Sequence, residues 1–166
     1  LTNRRQRQMC IRDSIYTATF DATTTPKKIR INKLNTELEN VWDQTGVALT
    51  PENDQRNVFL VDLGGVGVGC FWSESRSFLS GFDIFFQSLN PDGEPQLSSG
   101  GITVAESNGD DYIQAVIPAP DGISFLIFWV EEVWPASRLK YNRVELNGQV
   151  STGWPPNGFN LSNQSI

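Results

Sequence analysis

The stretch Gly67-Val68-Gly69-Cys70-Phe71-Trp72-Ser73-Glu74 returns 57 residues later as Ser124-Phe125-Leu126-Ile127-Phe128-Trp129-Val130-Glu131. A related run, Ile15-Tyr16-Thr17-Ala18-Thr19-Phe20-Asp21, stands 52 residues before it. A repeat at this period restricts the fold more than any single motif in the chain. The match is long: Asn57–Glu74 aligns without gaps on Gln114–Glu131, placing Gly65 on Gly122 and Phe71-Trp72 on Phe128-Trp129. Beyond a polar connection, apolar positions recur at 55: Ile29, Ile84 and Leu139, then Ile31, Phe86 and Tyr141, then Leu34, Leu89 and Val144. Within each copy these positions lie two or three apart, the period of a strand and not of a helix.

Turn chemistry repeats at the same interval. Asn90-Pro91-Asp92-Gly93 and Glu145-Leu146-Asn147-Gly148 put Asp-Gly and Asn-Gly at one point, a strong hairpin signal because the glycine accepts a positive φ. The first copy has Thr36-Glu37-Leu38 there, so its turn is left open. Each copy ends on a spaced glycine followed by alternating apolar residues. The pairs are Trp42 and Gly46, Leu97 and Gly101, and Trp154 and Gly158, followed by Val47 and Leu49, Ile102 and Val104, and Phe159 and Leu161. Four short strands in about 55 residues, in up-and-down order and with no capped helix, predict an all-β chain. One such sheet cannot bury both faces alone, so the copies must stack. Four strands at this period is the signature of a β-propeller blade. The expected architecture is therefore about two and a half blades: a partial one over residues 15–50 lacking its first strand, then 57–105 and 114–166. A closed propeller takes about four to eight blades, so the chain reads as an open fragment of a longer protein. A β-sandwich is the competing fold, but it leaves the repeat unexplained.

The segment Arg4–Ser14 does not share the pattern. Arg-Arg-Gln-Arg-Gln-Met-Cys-Ile-Arg-Asp-Ser resembles the conceptual translation of a transposon-end sequencing adapter, whose tail ATG TGT ATA AGA GAC AG reads Met-Cys-Ile-Arg-Asp-Ser. Residues 1–14 are accordingly expected to be an adapter-derived, disordered addition. They carry no apolar core of signal-peptide length. The segment holds four of the thirteen Lys and Arg residues and one of the nineteen Asp and Glu, so nine basic and eighteen acidic residues remain, and the formal charge moves from −6 to −9. Cys70 is then the only cysteine, expected as a small buried hydrophobe in a strand.

Composition removes several function classes. Aromatic residues at 11% and hydrophobics at 39% argue for a packed core and against disorder. The acidic balance disfavours nucleic-acid binding through phosphates. Histidine is absent, which removes Ser-His-Asp and Cys-His catalysis and His-ligated metals. No apolar run is long enough for a membrane-spanning helix, and no cofactor motif stands out. Gly64–Gly69 leads into a strand and not a helix, so it is no phosphate loop. Asn108-Gly109-Asp110-Asp111, and Asn90 with Asp92, lack the twelve-residue calcium pattern and read as turns.

The aromatic-Trp-x-Glu pattern, Phe-Asp-Ile-Phe-Phe-Gln-x-Leu-Asn-Pro-Asp-Gly and Trp-x-x-x-Gly-Val-x-Leu resemble β-propeller-like repeats of secreted bacterial proteins. Such repeats belong to large Bacteroidetes-type proteins that carry a type IX secretion sorting domain. The resemblance covers residues 15 to the end. It implies an extracellular or cell-surface location and a non-catalytic binding or scaffold role, and it transfers no catalytic residues.

Loops on a rigid β scaffold concentrate binding residues. The expected rim loops between second and third strands span Thr23–Lys28, Ser73–Gly81 and Val130–Arg138, and those between blades span Thr50–Asp54 and Glu106–Asp111. They offer Glu74, Arg76 and Phe78 in one blade and Glu131, Glu132, Trp134 and Arg138 in the next, a set able to hold a sugar or a protein segment. The plainer reading is solvated loop charges with Trp134 covering the core edge. The alternative function is a propeller glycoside hydrolase or sialidase-like enzyme using Glu74, Glu131 and Glu132 as acid and base. The repetition of Glu74 as Glu131 speaks for a structural residue. The remaining blades of the same protein are the other expected partner.

Overall fold

The computed structural model describes residues 7–11, 14–21, 23, 25–43, 45–50, 52–77 and 81–161. Among these residues twelve strands form three four-stranded antiparallel sheets, each in sequence order. The first sheet holds β1 (Arg7–Ile11), β2 (Ser14–Asp21), β3 (Lys28–Leu34) and β4 (Val47–Ala48). The second holds β5 (Asp54–Asp62), β6 (Val68–Ser77), β7 (Gly81–Leu89) and β8 (Ile102–Ala105). The third holds β9 (Asp110–Pro118), β10 (Ser124–Val133), β11 (Ala136–Glu145) and β12 (Phe159–Asn160). The all-β meander expected from the repeat is what the chain forms, and Gly64–Gly67 is the turn between β5 and β6.

One expectation is corrected at the start. The first copy does not lack an outer strand, because Arg7–Ile11 pairs antiparallel with β2, from Arg7 opposite Ala18 to Ile11 opposite Ser14. The β2 edge would otherwise present a row of open backbone donors and acceptors, which any adjoining extended segment can satisfy whatever its side chains.

Register also corrects the repeat itself. Phe71 lies opposite Phe86 in the second sheet and Phe128 opposite Tyr141 in the third, so these positions are equivalent. In the first sheet Ile31, the counterpart of Phe86, faces Ala18. The true offset there is 53, not 52. A one-residue slip moves every side chain to the other face of a strand. Thr19, not Phe20, therefore holds the place of Trp72. A second gap lies in the hairpin before the Trp strand: Phe59 faces Phe71 while Ala115 faces Phe128, an offset of 56, so the ungapped alignment fails over β5.

The sheets stack face to face, with β5 against the first sheet and β9 against the second. Two cores result. Tyr16, Ala18, Ile29, Ile31 and Leu49 meet Val68, Cys70, Trp72, Phe85 and Leu89 at the first junction. Phe71, Ile84 and Phe86 meet Ile113, Phe125, Ile127, Trp129 and Val144 at the second. Each face of β6 thus serves a different neighbour, which explains its run of non-alternating apolar residues. Cys70 is fully buried and free, and burial pushes its thiol pKa up.

Two devices repeat in all three sheets. The amides of Asn32, Gln87 and Asn142 donate to the carbonyls of Asp43, Ser98 and Pro155, pinning the loop ahead of each fourth strand. Gly46, Gly101 and Gly158, at φ of 69°, 79° and 69°, lie against the carbonyls of Ile31, Phe86 and Tyr141. A Cβ on Gly101 would also stand 2.8 Å from Trp72, so the glycine and the tryptophan are one packing unit.

The third-strand turn closes in every copy. Gly93 donates to the Asn90 carbonyl and Gly148 to that of Glu145, and Leu38 donates to Asn35 at 3.1 Å with φ of 64°. The leading Asn35 supplies what the glycine would have made easy, since its Oδ1 accepts from the Glu39 N–H as Asn90 Oδ1 does from Glu94. An L residue in this conformation costs roughly 1–2 kcal/mol. Leu38 is 64% exposed, so little packing is lost on replacing it. Leu38→Gly is expected to raise stability by about 1 kcal/mol, read as a higher midpoint in urea unfolding.

Candidate functional site

Trp72 and Glu74, two apart on β6, point to the same face and into the first junction. Glu74 is fully buried. Its Oε2 accepts from the Trp72 indole at 2.6 Å, from Gln55 Nε2 at 3.0 Å and from the Thr50 hydroxyl. Its Oε1 accepts from Asn53 at 2.8 Å and from Arg76 Nε at 2.7 Å. Gln55 turns its own oxygen to the Ile29 N–H at 2.7 Å, tying the first sheet to the second. Burial alone pushes the Glu74 carboxyl up, but the bonds from Thr50, Trp72, Gln55 and Arg76 outweigh it and hold it below its ordinary value. Arg76 closes the outside, donating to the Gly100 carbonyl and stacking on Phe85 at 3.5 Å from the ring centre.

The second junction repeats this plan with different chemistry. Asp111 stands opposite Glu131 as Gln55 stands opposite Glu74. The Trp129 indole donates to Asp111 Oδ1 at 3.0 Å, where Trp72 donates to the glutamate. Glu131 instead faces two cations of β11, Lys140 at 3.0 Å and Arg138 at 3.1 Å. Asp111 Oδ2 is buried and accepts no hydrogen bond. Burial pushes Asp111 up to about 7, with Glu131 and Asp83 adding to it and Ser107 and Lys140 opposing. Asp83 is likewise pushed up to about 6, chiefly by burial. Beside this cluster opens a polar pocket of about 430 Å³ lined by Glu106, Ser107, Asn108, Glu131 and Asn157.

These groups set a pH dependence of definite sign. Asp111 binds its proton more tightly folded than unfolded, so its contribution to stability falls as pH rises from about 4 to about 7. Glu74 has the opposite shift, and its contribution falls as pH drops below the ordinary glutamate range. Thermal stability is therefore expected to peak near pH 5. Asp111→Asn is expected to remove the loss above that pH and to raise Tm at pH 7.5 by on the order of 5 °C, about 2 kcal/mol. Melting curves from pH 4 to 8 check this.

The residues expected on rim loops are distributed differently. Glu74, Arg76, Glu131, Glu132 and Arg138 all lie within strands, because β6 and β10 run on to Ser77 and Val133 and leave only Trp134-Pro135 between β10 and β11. Glu74 and Glu131 are buried, not solvated rim charges. Glu132, Trp134 and Arg138 are exposed near the β10–β11 turn, Trp134 at 95% and not folded over the core, and the register puts Glu132 and Arg138 on opposite faces of the hairpin. Phe78 lies outside the described residues. Thr50, Gln55, Asp111 and Lys140 escape a reading by motif. The signal for their carboxylate partners was nonetheless present, since Trp-x-Glu at strand period places indole and carboxylate side by side.

Asp110, read from the sequence as turn chemistry, accepts from the Phe82 N–H and the Tyr112 hydroxyl. Among the described residues no group of three or more acidic or thiol side chains is placed to hold a metal ion, and no helix is long and apolar enough to cross a membrane. The fold and its junctions define an all-β protein of stacked four-stranded antiparallel sheets. No family model, curated protein or solved structure matches the chain.

Proposed function

We propose that this chain is a run of consecutive blades from a β-propeller of a secreted or surface-attached bacterial protein, acting as a binding or scaffold module. The observation that carries this reading is the outer face of the third sheet. Phe128, Tyr141, Trp154 and Phe159 form one aromatic cluster there, with ring centres 5.5–6.1 Å apart. By register Phe128 and Tyr141 are the counterparts of Phe71 and Phe86, which the third sheet itself covers. A face built to receive a neighbour favours further units beyond the three. The far face of the first sheet differs. It carries Thr17, Thr19, Arg30 and Asn32 where the second carries Cys70, Trp72, Phe85 and Gln87, while Ile15 and Leu34 keep the apolar places of Val68 and Leu89, so it is the more polar of the two outer faces.

The bacterial surface location rests on the resemblance of the repeat motifs, and Arg4–Ser14 is read as adapter-derived. The binding role rests on the exposed Glu132, Trp134 and Arg138 tip, suited to a sugar or a protein segment. Against a hydrolase stands the engagement of its candidate carboxylates, since both Glu74 oxygens are filled and Glu131 is held by two cations. Reading the full frame from source DNA tests the architecture. Further units with Trp-x-Glu, and different bases upstream of Ile15 in independent reads, support it. A frame without further units overturns it. Glycan and peptide arrays with the chain and its Trp134→Ala variant test the tip, where binding insensitive to that change would dismiss it.

A further inference from the structure

The two junctions share one plan, and their outer openings differ. At the first, Arg76 stands two residues beyond Glu74 on the same strand face, with its guanidinium between Glu74, the Gly100 carbonyl and the Phe85 ring. At the second, Glu131 corresponds to Glu74, and Asn157 corresponds to Gly100, each preceding the glycine that abuts a third-strand carbonyl. β6 bulges between Glu74 and Ser77, so Val133, opposite Ala136, is the counterpart of Ser77, opposite Gly81, and β10 holds no residue in the place of Arg76. The space that the arginine fills at the first junction is here the open pocket lined by Glu106, Ser107, Asn108, Glu131 and Asn157. Lys140 and Arg138 reach Glu131 from β11, yet Glu106, Asp111 and Asp83 leave the surroundings net acidic.

We propose that this pocket binds a guanidinium group, the arginine side chain of a partner peptide, in the position that Arg76 occupies within the chain at the first junction. The chemistry fits the donor set. A guanidinium offers five N–H donors in a planar fork and no acceptor, and the pocket offers the carboxylates of Glu106 and Glu131, the Ser107 hydroxyl and the amide oxygens of Asn108 and Asn157. Charge-assisted bonds to carboxylates are the strong ones, and a site between packed sheets screens them less than open water. The inference compares two junctions inside one chain and does not depend on how many units the whole protein has.

Calorimetric titration of the full chain at pH 7.5 tests it, with N-acetyl-arginine methylamide, its citrulline analogue and methylguanidinium as probes. Saturable binding of the arginyl amide is expected, at least tenfold tighter than that of the uncharged citrulline analogue and tighter than that of methylguanidinium. Glu106→Gln, at an exposed position, should weaken it at least fivefold. Equal affinity for citrulline, or affinity unchanged in this variant, overturns the proposal. Equal affinity for methylguanidinium overturns the peptide as its source.

Discussion

Glu74→Ala is expected to cost about 4 kcal/mol and to lower Tm by roughly 10–15 °C, whereas Glu131→Ala costs about 1.5 kcal/mol. The two glutamates are the same residue of the repeat, so the contrast comes from what surrounds them. Removing Glu74 leaves the buried Trp72 indole and Asn53 Nδ2 without their acceptor, and it takes one acceptor each from Gln55 Nε2, which keeps Thr50, and from Arg76, which keeps the Gly100 carbonyl. Each buried donor left unpaired costs about 1–3 kcal/mol, and the Gln55 bridge to Ile29 loses its support. At Glu131 the guanidinium of Arg138 is half exposed and rehydrates, and Lys140 keeps Asp111 nearby. The indole of Trp129 is untouched because its acceptor is Asp111. Equal losses at the two positions, measured by urea unfolding, would show that the junctions are not built as described.

The second large effect separates a covered face from an open one. Phe71→Ala is expected to cost about 4 kcal/mol, and Phe128→Ala less than about 1.5 kcal/mol. Phe71 is fully buried, 4.5 Å from Phe86 and edge-on to Phe125 of the next sheet at 5.7 Å. Truncation there opens a cavity inside the second junction, with loss of transfer energy and of packing together. Phe128 occupies the same register position and stacks on Tyr141 at 6.1 Å, but among the described residues no sheet lies over it, and water enters where the ring was. Similar losses at both positions would mean that the third sheet is covered from both sides.

Much of this fold was legible in the letters, because strands buried on both faces must be apolar at nearly every position, and such runs stand out. Val68–Trp72, Phe82–Phe86 and Phe125–Trp129 could be matched by eye for that reason. The first copy was misplaced by one residue because Phe20 resembles Trp72 as a letter. Backbone register puts Thr19 there, and no letter records which face a strand turns inward. The turn at Leu38 was hidden because its determinant is the leading Asn35 and not a glycine. The site was legible only as a repeated glutamate. Charges near a strand end read as loop residues, and only the partners reveal that Glu74 is interior. Those partners, Thr50, Asn53 and Gln55, lie 24, 21 and 19 residues away, beyond any motif. The junctions differ in that Asp111 stands where Gln55 does and β10 has no counterpart of Arg76. The meaning of both differences appears only once the sheets are superposed.

The central claim is that the outer face of the third sheet is shaped to receive another unit. Sedimentation velocity over a concentration series tests it most directly, comparing the chain with a variant carrying Tyr141→Lys and Phe159→Lys. An exposed aromatic face of this kind favours association. The chain is expected to self-associate and to be poorly soluble, and the double variant to sediment as a monomer with an unchanged circular dichroism spectrum. A wild-type chain that stays monomeric and melts sharply at high concentration would contradict the account.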